Sequence, residues 1–312
     1  PTRRSSDLAH AQRLSPDTLR IVVLGSSTAS ATGASIPDSG WVWRYAAHLR
    51  TLYPGSEVIN LAVGGYTTYH IQSSSYHSPA HRPEPDTIRN ISTAIALRPS
   101  VIIVNLPSND AVRRIPLAER AANLIRVANR AEYFGIPLWI CTSQPRNMSA
   151  AQRRDLAEMR DFILKAFPGM VLDFWSPIAT RSGKIKRMYD SGDGVHLNDA
   201  GHRQLFDVVR NAHIPERLRV PRRVPDASAI PTLRILPYPA RDFVAFRIGT
   251  GHRNAYRIRI MNIGGNELQR LSGKSISGNA LRYYATAGLP RGIYRVELRC
   301  GSTVITKPMV LR

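Results

Sequence analysis

The sequence predicts an α/β fold of three layers, α/β/α, around a five-stranded parallel sheet, followed by a small all-β sandwich domain. Three observations carry that expectation. Between residues 20 and 213, short β-branched runs alternate with longer amphipathic stretches, the pattern of repeated βαβ units. After Ile214 the texture changes to IPERLRVPRRVPDASAIP, where prolines remove backbone donors and stiffen the chain. From Thr232 onward, short alternating segments are separated by glycine turns, which is how a sandwich is written.

Each element follows in order. Strands are read at 20–24 (RIVVL), 57–61 (EVINL), 101–106 (VIIVNL), 137–141 (PLWIC) and 170–174 (MVLDF). Between and after them, apolar residues at helical spacing give helices near 41–52, 86–97, 116–134, 149–166 and 199–212. Residues 214–231 are read as a Pro/Arg-rich linker. RDFVAFRI, YRIRIMNI, ALRYYAT, GIYRVEL and TVITKPMVL then supply the strands of a module over 232–312. The opening PTRRSSDL reads like the translation of a short-read sequencing adapter. Residues 1–8 are therefore given no part in the fold, the first domain is taken as 9–213, and a signal peptide is expected upstream of a truncated start.

Composition narrows the function classes. A chain of 312 residues can bury a sizeable core in two units, and no apolar run reaches the roughly 20 residues of a membrane-spanning helix, so no transmembrane segment is expected. The net charge of +21 is carried by 38 Arg against 5 Lys. Such a surface attracts polyanions through long-range fields. The arginines are scattered, however, and no nucleic-acid motif accompanies them, so nucleic acid is not an expected partner. Arginine-rich usage over a solvated surface is the simpler reading. Cys141 and Cys300 fall in different units, so no disulfide framework is expected. His70, His77 and His81 share a loop without thiols or carboxylates at metal spacing, so neither metal nor cofactor is expected.

In open α/β sheets, ligands gather beyond the carboxyl ends of the strands. After the first strand comes GSSTASATG, a small-residue turn that can expose a hydroxyl and free backbone N–H groups; alone it reads equally as a phosphate cradle or a tight turn. After the second comes NLAVGGYTT, where Gly65 offers an N–H at close approach or simply turns the chain. After the third comes LPSNDAV, in which Asn109 is either an amide donor or part of a helix cap. The last is DGVHLNDAGH. Asp193 and His196 stand three positions apart on one loop, so the carboxylate can take the imidazole Nδ1–H and leave Nε2 facing a serine. His202, at a helix entrance, is read as capping or packing. Tyr66, Tyr69 and His70 are either pocket lining or ordinary packing.

These four blocks, in this order, resemble the SGNH (GDSL-like) hydrolases over nearly all of residues 20–213. The resemblance implies a flavodoxin-like α/β/α domain and acyl transfer by a Ser27, His196 and Asp193 triad. It also implies an oxyanion hole of the Ser27 and Gly65 N–H groups and the Asn109 amide. Ser26 stands where the family usually has aspartate, which leaves both Ser26 and Ser27 as candidate nucleophiles with the match itself on Ser27. Pro107 stands where a glycine is usual. The implied activity is that of a serine esterase, such as a carbohydrate acetylesterase. A lipase- or thioesterase-like acylhydrolase, or an acyltransferase, would use the same triad, and a non-catalytic surface binding protein on a decayed hydrolase scaffold is the reading from another class.

The C-terminal module resembles the sorting domain of type IX secretion systems, through PYPARD (237–242), GLPRGIYRVEL (288–298) and the terminal TKPMVLR. A carbohydrate-binding or fibronectin-like sandwich is the alternative. The sorting resemblance implies a secreted or cell-surface protein that engages the type IX machinery, and a small-molecule or polysaccharide ester substrate. Export and the basic surface together favour acetylated acidic glycans.

Overall fold

A computed structural model describes residues 18–106, 108–219, 231–236, 243–250, 254–275, 279–286 and 288–311. The adapter-like start, Pro107, most of the linker and PYPARD lie outside the described residues.

Five parallel strands form one sheet in the order β2-β1-β3-β4-β5, from β1 (Arg20–Gly25), β2 (Glu57–Asn60), β3 (Val101–Asn105), β4 (Leu138–Cys141) and β5 (Val171–Leu172). Because successive side chains point to opposite faces, each strand feeds two cores. Val22, Leu24, Ile102 and Val104 face one core with α2 (Ile91–Ala96), α4 (Leu117–Tyr133) and α5 (Ala150–Ala166). Ile21, Val23, Val101 and Ile103 face the other with α1 (Trp41–Leu52) and α6 (Asp199–Asn211), where Trp41 meets Phe174 edge-on at 5.4 Å. The three layers expected from the sequence are therefore present. Chain order reverses between β1 and β3, which opens the crevice used by ligands in such sheets.

Helix ends follow their local chemistry. Asn90 caps α2 by accepting the Thr93 N–H, while Asp86 accepts the N–H groups of Ile88 and Arg89, so helix begins at 91 and not near 86. Ser149 and Gln152 form a reciprocal capping box on α5. Two short helices add to the expected set: α3 (Ser108–Val112) and α7 (Ile214–Arg219). The second opens the segment read as a linker, with Pro215 near its start, where a missing N–H is harmless.

The other strands among the described residues are β6 (Thr232–Leu236), β7 (Phe243–Gly249), β8 (Ala255–Met261), β9 (Glu267–Lys274), β10 (Asn279–Ala285), β11 (Gly292–Cys300) and β12 (Thr303–Leu311). They form antiparallel sheets of order β10-β7-β6 and β12-β11-β8-β9, a small all-β domain. Alternate residues such as Val244, Phe246 and Ile248 from one sheet and Ile258, Ile260, Val296 and Leu298 from the other fill its core. Cys141 and Cys300 are buried free thiols. Among the described residues, no helix is long and apolar enough to cross a membrane.

The β domain docks on α4 and α5. Phe243 meets Phe162 at 5.0 Å and Tyr283 meets Phe167 at 4.6 Å. Arg282, almost fully buried, pairs with Glu132 at 3.3 Å and donates to the Asn129 carbonyl at 2.7 Å. A cavity of about 470 Å³ lies in this seam, lined by Pro137, Leu138, Met170 and Leu281 among others. Pro137, Leu138 and Met170 lie at or just before the amino ends of β4 and β5, so the cavity is at the end of the sheet away from the strand termini considered next.

Candidate active site

The first strand ends at Gly25, where an added Cβ would lie 2.7 Å from Ala29 Cβ and 3.3 Å from the Asn105 carbonyl; only glycine fits. Beyond it the chain coils tightly, with Ser30 N–H on the Ser26 carbonyl (3.0 Å) and Thr32 N–H on the Ser27 carbonyl (2.9 Å). The coil separates the two candidate hydroxyls. Ser26 is buried at 3% exposure, whereas Ser27 is half-buried and open to solvent.

The loop after β2 is tied to this coil, because Asn60 donates its amide to the Ala29 carbonyl at 2.7 Å and Val63 N–H reaches Gly25 O at 3.2 Å. Gly65 is exposed with φ +82°, and an added Cβ would meet nothing within 4 Å. The loop after β3 begins α3, which carries Asn109. Its Nδ2 donates to the Tyr66 carbonyl at 3.0 Å, leaving the second amide hydrogen available. Its neighbour Asp110 is fully buried and takes the Thr68 hydroxyl (2.6 Å) and N–H (3.1 Å), which clamps the second and third loops together. Burial pushes the Asp110 carboxyl up to about 7, against the Thr68 hydrogen bonds and the nearby Arg120 charge. Tyr66 is held in turn by its hydroxyl on Asp86 and by His70, stacked on its ring at 4.5 Å.

The loop after β5 supplies the acid and the imidazole. Asp193 Oδ2 accepts from His196 Nδ1 at 2.6 Å, and Asp193 Oδ1 accepts the N–H groups of Val195 and His196, both at 2.8 Å. Burial opposes ionisation of this carboxyl, but the His196 and Val195 donors outweigh it and hold Asp193 well below the usual carboxylate range. An ionised partner on Nδ1 fixes the tautomer, so Nε2 is left as the basic nitrogen.

Helix α6 then staples this loop to the coil after β1. His202 Nε2 donates to the Thr32 carbonyl at 3.3 Å, and Asp199 accepts Ser35 N–H (2.8 Å) and hydroxyl (2.6 Å). A Cβ on Gly33 would come within 2.8 Å of His196 Cβ. The segments carrying Ser27 and His196 therefore lie against each other. Burial lowers the His202 pKa to about 4, so the ring is neutral and acts as a donor from inside the fold, in keeping with a packing role.

Residues 23–204, more than half of the sequence, match the model of the GDSL-like Lipase/Acylhydrolase family. The chain belongs to that family. Residues 234–312 match the secretion system C-terminal sorting domain, and this GDSL-like hydrolase is accordingly a secreted or cell-surface protein. No curated protein matches it. Among solved structures, a G-D-S-L family lipolytic protein from Desulfitobacterium hafniense DCB-2 shares 14% identity at TM-score 0.50, over 62% of this chain and 99% of that one. A GDSL-like lipase from Bacteroides thetaiotaomicron VPI-5482 shares 16% identity at TM-score 0.48, over 66% and 92%. An acetyl xylan esterase, AlAXEase, shares 18% at TM-score 0.49, over 63% and 100%. At 14% identity, the likeness to the first of these is one of fold.

The loop between β4 and α5 of this GDSL-like hydrolase was not singled out from sequence, yet it touches three of the others. Gln144 donates to the Thr28 hydroxyl at 2.6 Å, beside Ser27. Arg146 Nη1 donates to Asn109 Oδ1 at 3.1 Å. Asn147 N–H reaches the Gly194 carbonyl at 2.7 Å, beside Asp193. The strand-end rule itself was the available signal, since residues 142–147 directly follow the fourth strand.

Proposed function

We propose that the protein is a serine esterase that hydrolyses carboxylic esters through an acyl-enzyme, with carbohydrate O-acyl groups as its substrates. Ser27 Oγ attacks the ester carbonyl while His196 Nε2 takes its proton, and Asp193 stabilises the imidazolium that results. The Ser27 and Gly65 N–H groups and the free Asn109 amide hydrogen receive the developing oxyanion. His196 then protonates the departing alcohol, and water, deprotonated by the same nitrogen, releases the acid.

The observation that carries this reading is the Asp193–His196 pair at 2.6 Å, on a loop packed against the coil that holds Ser27. Half-burial of Ser27 beside fully buried Ser26 supports Ser27 as the nucleophile. The same reading divides the chain into a catalytic unit over 9–213 and a sorting unit over 232–312, the latter engaging the type IX secretion machinery. A fluorophosphonate probe tests the chemistry. Labelling is expected in the parent and in Ser26→Ala, and absent in Ser27→Ala; labelling that survives Ser27→Ala refutes the assignment.

A further inference from the structure

The loop after β4 puts a cation where ester hydrolysis alone does not ask for one. Arg146 is half-buried, and its only hydrogen bond among the described residues is the one to Asn109 Oδ1. A neutral donor could pin an amide oxygen equally well, without the cost of desolvating a guanidinium. No carboxylate of the described residues lies within ion-pair distance of Arg146. Asp193 is near enough to feel its charge, but it is already engaged by the His196 ring and two backbone N–H groups.

A second guanidinium stands on the other flank. Arg113 is exposed, donates to the Gly65 carbonyl at 3.4 Å, and likewise has no ion-pair partner among the described residues. The contacts run in one chain: Arg113 to Gly65, next in sequence Tyr66, whose carbonyl holds Asn109, and Asn109 to Arg146. Each of the two loops read as oxyanion donors thus carries an arginine on an oxygen that does not donate, and the space over Gly65 is open. Among the described residues, the remaining N–H groups of both forks have no hydrogen-bond partner. A planar fork of this kind matches a carboxylate with two parallel hydrogen bonds.

We propose that Arg146 and Arg113 form an anion subsite beside the scissile ester, and that the substrate is an acylated acidic glycan whose uronate carboxylate pairs with Arg146, with Arg113 guiding the polymer at the rim. This rests on the esterase reading above. The net charge of +21 adds a long-range pull on such a polyanion.

The test uses the full chain, follows acetate release, and compares two polymers, one with charged and one with neutral carboxyl groups: acetylated polygalacturonate, and the same polymer with its carboxyl groups methyl-esterified. The parent is expected to favour the free acid by about tenfold or more in kcat/KM, chiefly through KM, with the preference shrinking as salt rises. Arg146→Gln should bring the ratio between the polymers close to one, Arg146→Lys should keep part of it, and Arg113→Gln should reduce it by a smaller factor. Equal kcat/KM on the two polymers in the parent overturns the proposal, and so does an Arg146→Gln loss of the same size on both, which is what a purely structural arginine would give. Hydrolysis of 4-nitrophenyl acetate and probe labelling at Ser27 separate the two levels. A parent that is labelled and cleaves this neutral ester but shows no preference for the acid sinks the subsite alone, while a parent without label or ester activity sinks both.

Discussion

At the carboxyl ends of β1, β2 and β3 the loops are held by polar contacts, such as Asp110 on Thr68, Gln144 on Thr28 and His202 on Thr32, around glycines exposed to solvent. At the amino ends of β4 and β5 the seam with the β domain is aromatic around a cavity of about 470 Å³, and the buried Arg282 guanidinium is held there by Glu132 and Asn129. The first arrangement fixes directions of donors and acceptors and leaves room for a ligand. The second removes apolar surface from water and fixes only which faces meet. Substitutions at the first end should therefore alter turnover with little effect on stability, and those at the second the reverse.

The sharpest way to break that contrast is His196→Ala, expected to lower kcat about 10⁴-fold or more while leaving the urea midpoint within error. A midpoint that falls in parallel would mean that the loop carrying Asp193 and His196 is a structural prop. Asn109→Ala is expected to cost about 10²–10³ in kcat, the usual loss of one oxyanion donor, with KM moving far less. At the other end, Glu132→Ala strips Arg282 of its carboxylate and should cost about 3 kcal/mol in urea unfolding with steady-state constants unchanged. A drop in kcat of comparable size would show that the two ends are coupled.

The smallest effect sharpens the picture through pH. His202 is neutral inside the fold, with its pKa lowered to about 4, so its contribution is complete above pH 6.5 and is lost as the pH falls towards 4. The shift corresponds to about 3 kcal/mol at most. His202→Gln, which keeps a donor for the Thr32 carbonyl, should remove that share of the acid-side loss. Parallel stability curves for parent and variant between pH 7 and 4 would refute it.

Much of this was legible in the sequence because it is local. Strand positions agreed to within a residue or two where β-branched residues run unbroken, as in RIVVL and VIIVN. Asp193 and His196 could be paired because three residues of one loop suffice to bring them together. What escaped was short, exposed or non-local. Helices α3 and α7 span 5 and 6 residues and carry no full period of apolar spacing. Strand β9, ELQRLSGK, is a mostly solvent-facing edge of its sheet and lacks the apolar alternation that marks its neighbours. The register of Arg146 against Asn109, 37 residues apart, depends on how two strand ends lie side by side, which no spacing in the chain encodes.

The seam on α4 also decides which way the molecule faces. Asn129 and Glu132 sit in the last turns of that helix, which runs back from the strand tips towards the rear of the sheet, so the sorting module is a handle fixed behind the blade. A grip on that handle leaves the opening over Gly65 facing away from whatever holds it.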